Sequence, residues 1–202
     1  MPRAFTEAET REISEALLRA SESCLARYGV KKTTVDELAR RAGISKGSFY
    51  RFHPSKEALF FHTIEEYQKR LFQGLFKKVQ ERELRGRDGL TEAICYLFSQ
   101  VRDSFLTTLM RPEEMALLLR GLPQEQVSSH HTLDDETTRA LLMALRVREQ
   151  HANTPILTTA LRALAMAMMH REAVGEELFD EAMRLLIRGL VLAGVEEEDC
   201  GD

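Results

Sequence analysis

Between Val30 and Lys56 the chain carries Lys31, Lys32, Arg40, Arg41, Lys46, Arg51 and Lys56 against only Asp36 and Glu37, an excess of +5 in 27 residues. Cations at that density suit the neutralisation of a phosphate backbone. Within the same stretch Ala39, Gly43 and Phe49 stand in the spacing A-x3-G-x5-hydrophobic, with Leu38 and Ile44 apolar beside them. Two short helices that cross steeply need a small residue where they touch, and the tight turn between them needs the left-handed backbone that glycine adopts cheaply. Ile44, Phe49 and Phe52 then anchor the second helix on a core. Ser45, Lys46, Gly47, Ser48, Tyr50 and Arg51 are left facing outward, a polar helix start rich in hydrogen-bond donors. This is the pattern of a helix-turn-helix whose recognition helix enters the major groove with its N-terminal end leading. A corner in a helical bundle also uses alanine and glycine. It has no need for the basic excess at the same place, or for Gly47, which costs about 1 kcal/mol relative to alanine in a helix interior.

Helices must position these side chains, and the sequence supplies their boundaries. A capping box from Thr6 to Glu9 opens the first, with Ile13, Ala16, Leu17, Ala20, Cys24, Leu25 and Tyr28 on one face and Gly29 as its stop. A second box, Thr34 to Glu37, starts a short helix, Ser45 caps a third, and Pro54-Ser55 ends that one and begins a fourth. The fourth is a long connecting helix whose apolar positions run from Leu59 to Val79. Further helices are expected at about 90–108, 111–121 and 132–150, then from Thr154-Pro155 to about Ala173, and after Gly175 to about Ala193. No run alternates as a strand does, so the fold class is all-α.

The net charge of −4 hides an asymmetry: residues 1–56 sum to +4 and residues 57–202 to −8. The acidic remainder is therefore expected to sense and to pair, leaving DNA to the basic part. No apolar stretch is long enough to span a membrane, and the first residues lack the core of a signal peptide. Cys24, Cys95 and Cys200 are odd in number and far apart, which fits a cytoplasmic chain without a disulfide framework. No G-x-S-x-G, HExxH, Walker loop or dinucleotide fingerprint is present, so no enzyme and no cofactor are expected. Asp134-Asp135-Glu136 reads as complement to a helix dipole. His130-His131, His151 and His170 lack the spacing of metal ligands, so no metal is expected.

The run from Thr33 to Tyr50, followed by Phe52, Pro54-Ser55-Lys56-Glu57-Ala58-Leu59, resembles the N-terminal domain of the TetR family of bacterial transcriptional regulators. One departure is visible. The family usually places an aromatic residue just before the Pro-Ser-Lys-Glu turn, where this chain has His53, with the aromatic one residue earlier at Phe52. The resemblance implies a three-helix DNA-binding domain at 1–54 and a helical effector-binding and dimerisation domain at 55–202. It implies a homodimer on a palindromic double-stranded operator, usually a repressor, released by a small molecule. It further implies phosphate contacts from Thr34, Tyr50 and Lys56, with Ser45, Lys46, Gly47, Ser48 and Arg51 near base edges. An activator, or a DNA binder without an effector, is the alternative.

The two last helices, at about 155–173 and 176–193, have apolar faces broader than one seam, and alanines at 160, 163, 165 and 167 would let a partner approach closely. They are the expected homodimer interface. For the effector, a lipophilic or aromatic small molecule, the candidates are Phe98, Phe105 and Met143, with Arg102 for a polar end. Tyr96, Met110, Met115 and Met166 are further cavity candidates.

Overall fold

The computed structural model describes residues 5–123, 137, 139–147, 153–168 and 170–195. The regular elements among them are all helical. In chain order they are α1 (Glu7–Lys32), α2 (Val35–Arg41), α3 (Lys46–Phe52), α4 (Lys56–Glu81), α5 (Gly86–Arg102), α6 (Leu106–Leu109), α7 (Pro112–Arg120), α8 (Thr154–Met168), α9 (Arg171–Val174) and α10 (Phe179–Gly194).

Two compact units divide the chain. The first takes residues 1–69 and 104–123, the second 70–103 and 124–202. The boundary expected after residue 54 thus falls inside the first unit, because the start of α4 supplies Leu59, Phe60 and Ile64 to the core that Leu17, Leu25, Leu38 and Phe49 build from α1 to α3. Phe105, Leu109 and Leu118 of α6 and α7 close the same core.

Local chemistry explains each start. Thr6 Oγ1 accepts from Glu9 N–H at 3.2 Å and the Glu9 carboxylate accepts from Thr6 N–H at 2.8 Å, a complete capping box. Only half of the second box forms. Thr34 Oγ1 accepts from Glu37 N–H at 3.2 Å, but the Glu37 carboxylate turns to Arg40 and Arg41. Two guanidinium forks outcompete one backbone amide, and they hold the Glu37 carboxyl below the usual carboxylate range, Arg41 most. Ser45 caps α3 through Ser48 N–H at 3.1 Å, and Ser55 caps α4 through Ala58 N–H at 3.1 Å.

In the second unit Leu75 and Val79 of α4 pack with Leu90, Ala93 and Ile94 of α5, with Leu142 and Leu145, and with Leu157, Ile187 and Val191 of α8 and α10. Four sequence boundaries move. The helix expected over 90–108 ends at Arg102 and resumes as the short α6. The one expected over 132–150 ends near Ala144: Arg146 adopts a positive φ of 58°, and Val147 N–H reaches back to Leu142 O at 2.9 Å. That is a left-handed C-terminal closure made without glycine. The helix expected to run to Ala173 ends at Met168, with α9 as a separate turn. Its cap is Asn153 rather than Thr154, since Asn153 Oδ1 accepts from Ile156 N–H at 3.3 Å. Asp134, Asp135, Glu136, His130, His131, His151 and Cys200 lie outside the described residues.

Candidate nucleic-acid interface

The α2–α3 pair crosses where the spacing placed it. Ala39 is buried at the contact, and Gly43 has φ +72° with nothing near the position a Cβ would take, so backbone conformation alone demands glycine there. Phe49 is fully buried beneath α3 and Phe52 half-buried. On the outer face Ser45, Lys46, Gly47, Tyr50 and Arg51 are exposed, as is Thr34 at the head of α2, while Ser48 is half-buried. All of these but Thr34 thus stand within the α3 turn and helix.

Their local commitments differ. Ser45 Oγ accepts from Ser48 N–H and lies 2.9 Å from Ser48 Oγ, so the two hydroxyls are joined. Lys46 Nζ donates to Asp36 Oδ2 at 2.8 Å, and this pair raises the lysine above its ordinary value. Both partners are more than half exposed, so the pair is weak and a phosphate can displace Asp36 at little cost. Arg51 stacks over the Phe5 ring at 4.8 Å, and Phe5 meets Phe52 at 5.8 Å. Phe5 was missed in the sequence, although an apolar residue just before an N-cap is a recognised signal. Tyr50 is 51% exposed and meets Phe49 edge-on.

Lys56 points inward more than the resemblance implied. Its ammonium donates to Val30 O at 2.7 Å and Thr33 O at 2.8 Å, and the same nitrogen pairs with Glu57 Oε1 at 4.0 Å, so at most one of its three protons, shared with Glu57, is left for an outside acceptor. Glu114 of α7 meets the same turn from another side: its Oε2 accepts from Val30 N–H at 2.5 Å and Lys31 N–H at 3.2 Å. Nothing in the local sequence signals a contact 84 residues away.

Gly47 is the informative glycine. It sits inside α3, and a Cβ there would meet only Ser45 Oγ, at 3.9 Å. The fold has no steric use for it, whereas a nucleic-acid backbone approaching this face does. Gly47→Ala is expected to raise stability by about 0.5–1 kcal/mol in urea melts and to weaken duplex binding several-fold in a fluorescence titration. A variant that gains stability and binds as before would remove Gly47 from the interface.

His53 ends α3 and packs against Phe49 at 6.1 Å and His62 at 5.5 Å, so the residue order Phe52-His53 puts an imidazole where a ring is wanted. Burial, and after it the charge of His62, push the His53 imidazole down to about 4. The unfolded chain takes up this proton near pH 6.5 and the folded one only near 4. The stability His53 confers is therefore complete above pH 6.5 and is lost as pH falls through that window. His53→Phe is expected to flatten the fall of unfolding free energy between pH 7 and pH 4.5, read from urea melts at each pH. Parallel curves for the two proteins would assign the acid sensitivity elsewhere.

The effector candidates have other commitments. Phe105 belongs to the core of the first unit, edge-on to Tyr67 at 5.3 Å, and Met115 packs on that core. In the second unit Phe98 packs on the core, Arg102 is held by Asp103 at 2.7 Å and Asp180 at 2.5 Å, and Met143 is 66% exposed. Met166 is likewise exposed. The same unit has an open cleft of about 530 Å³ lined by Lys78, Glu92, Cys95, Tyr96, Arg184 and Arg188 among others. Lys78 lies over the Tyr96 ring at 4.9 Å and pairs with Glu92 at 3.5 Å. Burial raises the thiols of Cys24 and Cys95, which makes them poor nucleophiles. Among the described residues no group of three or more His, Cys, Asp or Glu could hold a metal ion, and no helix is long and apolar enough to cross a membrane.

Residues 17–63 match the family model described as bacterial regulatory proteins, tetR family. The HTH-type transcriptional regulator YerO of Bacillus subtilis is 41% identical over 56 residues, 28% of this chain and 19% of its own length. The chain spans about a fifth of the length of the curated relatives it matches. Two solved structures share the fold along nearly the whole chain. NalD, the secondary repressor of the MexAB-OprM multidrug efflux pump in Pseudomonas aeruginosa, is 22% identical with a TM-score of 0.58, covering 95% of this chain and 99% of its own. FadR from Bacillus subtilis, a transcriptional regulator in complex with stearoyl-CoA, is 14% identical with a TM-score of 0.61, covering 93% and 100%.

Proposed function

We propose that the chain, whose residues 17–63 match the family model of bacterial regulatory proteins of the tetR family, is a homodimeric repressor that holds a palindromic operator and releases it when a lipophilic or aromatic small molecule binds. The observation that carries the DNA-reading part is the outward face of α3. Lys46, Gly47, Tyr50 and Arg51 are exposed together on a helix whose inner side is locked by Phe49. Arg51 and Lys46 supply charge and reach, and Ser48 can donate or accept at a base edge. Thr34 and Tyr50 take phosphates, with Lys56 contributing the one proton it shares with Glu57.

Pairing is supported by the outer faces of α8 and α10, where Ile156, Met166, Leu185, Leu186 and Leu192 are exposed. Apolar side chains at that density on two neighbouring helices fit a second copy, and a symmetric pair matches a palindromic site. The effector reading draws support from two proteins of the same fold, one bound to stearoyl-CoA and one a repressor of a drug efflux pump. Cytoplasmic residence follows from the same reading.

The test is selection of the full chain against a random duplex library at low salt, followed by titration of candidate lipophilic ligands against the recovered site. An inverted repeat that the protein releases on ligand addition is the expected result. Absence of any enriched sequence would end the DNA-reading proposal, and an enriched site that no ligand loosens would end the effector proposal. A promoter fusion carrying the site fixes the sign of regulation.

A further inference from the structure

The backbone leaves helical geometry at Gly29, within α1, and the polar groups of the turn from there to Thr33, ahead of α2, are gripped by residues distant in sequence. Lys56 donates to the carbonyls of Val30 and Thr33, and the Glu114 carboxylate accepts from the amides of Val30 and Lys31. Thr33 closes the turn by donating its hydroxyl to Gly29 O at 2.6 Å. Val30 and Thr33 are both buried and their bonds to Glu114 and Lys56 are partly so, whereas the Lys31 amide bond is exposed. Gly29 itself has φ +71°, and a Cβ on it would come within 2.7 Å of the Glu114 carboxyl carbon. Backbone, glycine and carboxylate therefore fit one another closely, and α2 begins at the next residue but one after this turn.

We infer that Glu114 is a positioning residue for DNA recognition: from α7 it sets the exit of α1 and hence where the α2–α3 pair stands, without touching DNA itself. The inference rests on the reading of α3 as the DNA-contacting helix. Two features separate this role from general support of the core. The Glu114 contacts are to backbone amides of the turn, not to the apolar residues beneath it. Moreover, Glu114 sits on α7 in the same compact unit, 84 residues along the chain from Val30, so the turn is held by a segment other than the helices it joins.

A side chain that only orients the reading pair affects sequence discrimination more than total charge. Contacts to base edges depend on placement, whereas non-specific binding follows the number of phosphates neutralised. Full-length Glu114→Ala and Glu114→Gln are compared with the wild type on the selected operator and on a random duplex, and amide exchange at Val30 and Lys31 is followed by NMR. Glu114→Ala is expected to lose tenfold or more of operator affinity, to change random-duplex binding less than twofold, and to exchange both amides at least tenfold faster. Glu114→Gln keeps an acceptor oxygen and is expected to restore operator affinity to within about threefold of wild type. An unchanged operator-to-random ratio in Glu114→Ala would overturn the inference, as would Glu114→Gln failing as badly as Glu114→Ala. Should the alanine variant lose helical content, the Gln variant and its exchange rates decide in the same way. A wild type that enriches no duplex would instead bring down the DNA reading, with the exchange data still deciding whether the clamp exists.

Discussion

Leu185→Glu together with Leu186→Glu is expected to leave a folded monomer at micromolar concentration and to cut operator affinity by a hundredfold or more. α10 has two apolar faces. Phe179, Met183, Ile187 and Val191 are buried and hold it on its own unit, whereas Leu185 and Leu186 are 72% and 52% exposed. Gly189 lies three and four residues further along the same outer side, and a Cβ there would meet nothing. Glycine inside a helix costs about 1 kcal/mol, and an open site for close approach is what offsets it. In a symmetric dimer each substitution counts twice, so four leucines leave the interface. At roughly 1.5–3 kcal/mol each, their loss removes a large part of what a nanomolar association requires, and buried carboxylates oppose the contact further. Splitting the dimer also separates two half-site readers, and a linked second site raises affinity by about 10²–10⁴. Sedimentation velocity reads the assembly, and titration of a full operator against a single half-site reads the avidity. A dimer that persists in the double variant would move the interface off α10.

The sequence made the reading pair legible because everything that specifies it is local. Ala39, Gly43 and Phe49 act within a dozen residues, and each has one steric reason that the geometry repeats. The two-faced α10 was legible for a related reason: burial of one side leaves the other side's leucines unexplained. What escaped were choices between competing local partners and contacts across long separations. Glu37 had a capping amide available and took two arginines, because charge-assisted bonds are the stronger ones. The continuous helix expected through residue 108 breaks at Asp103, which instead holds Arg102, and α6 then turns Phe105 and Leu109 into the first unit's core. That burial assigns the 104–123 segment to the N-terminal unit, although its sequence distance from residues 1–69 gave no sign of it. The effector candidates divide between the two cores for the same reason, Phe105 in the first and Phe98 in the second: helical periodicity marks a residue as apolar-facing without saying which core it faces.

Gly29→Ala is expected to be the costliest single methyl addition in the reading domain, lowering Tm by roughly 6–12 °C, about 3 kcal/mol of stability in a chain of this size. Two effects add. At φ +71° and ψ −174° the backbone stands in a region reserved essentially for glycine, which penalises an L side chain by about 1–3 kcal/mol. The new Cβ would also stand 2.7 Å from the Glu114 carboxyl group, which must swing away. Moving a side-chain tip is sterically cheap, but this tip holds the amides of Val30 and Lys31, and stranding a buried donor costs about 1–3 kcal/mol. Gly43→Ala supplies a comparison, since it also meets a positive-φ backbone penalty, at φ +72°, with open space around it. Gly29→Ala should therefore be the less stable of the two in thermal melts, by the Glu114 contacts together with what its ψ of −174° adds. Operator binding by refolded Gly29→Ala at low temperature should fall along with that of Glu114→Ala, because both release the same turn. Equal Tm losses at the two glycines would mean that Glu114 finds the amides again from a new position, and that the grip on the turn tolerates a displaced carboxylate.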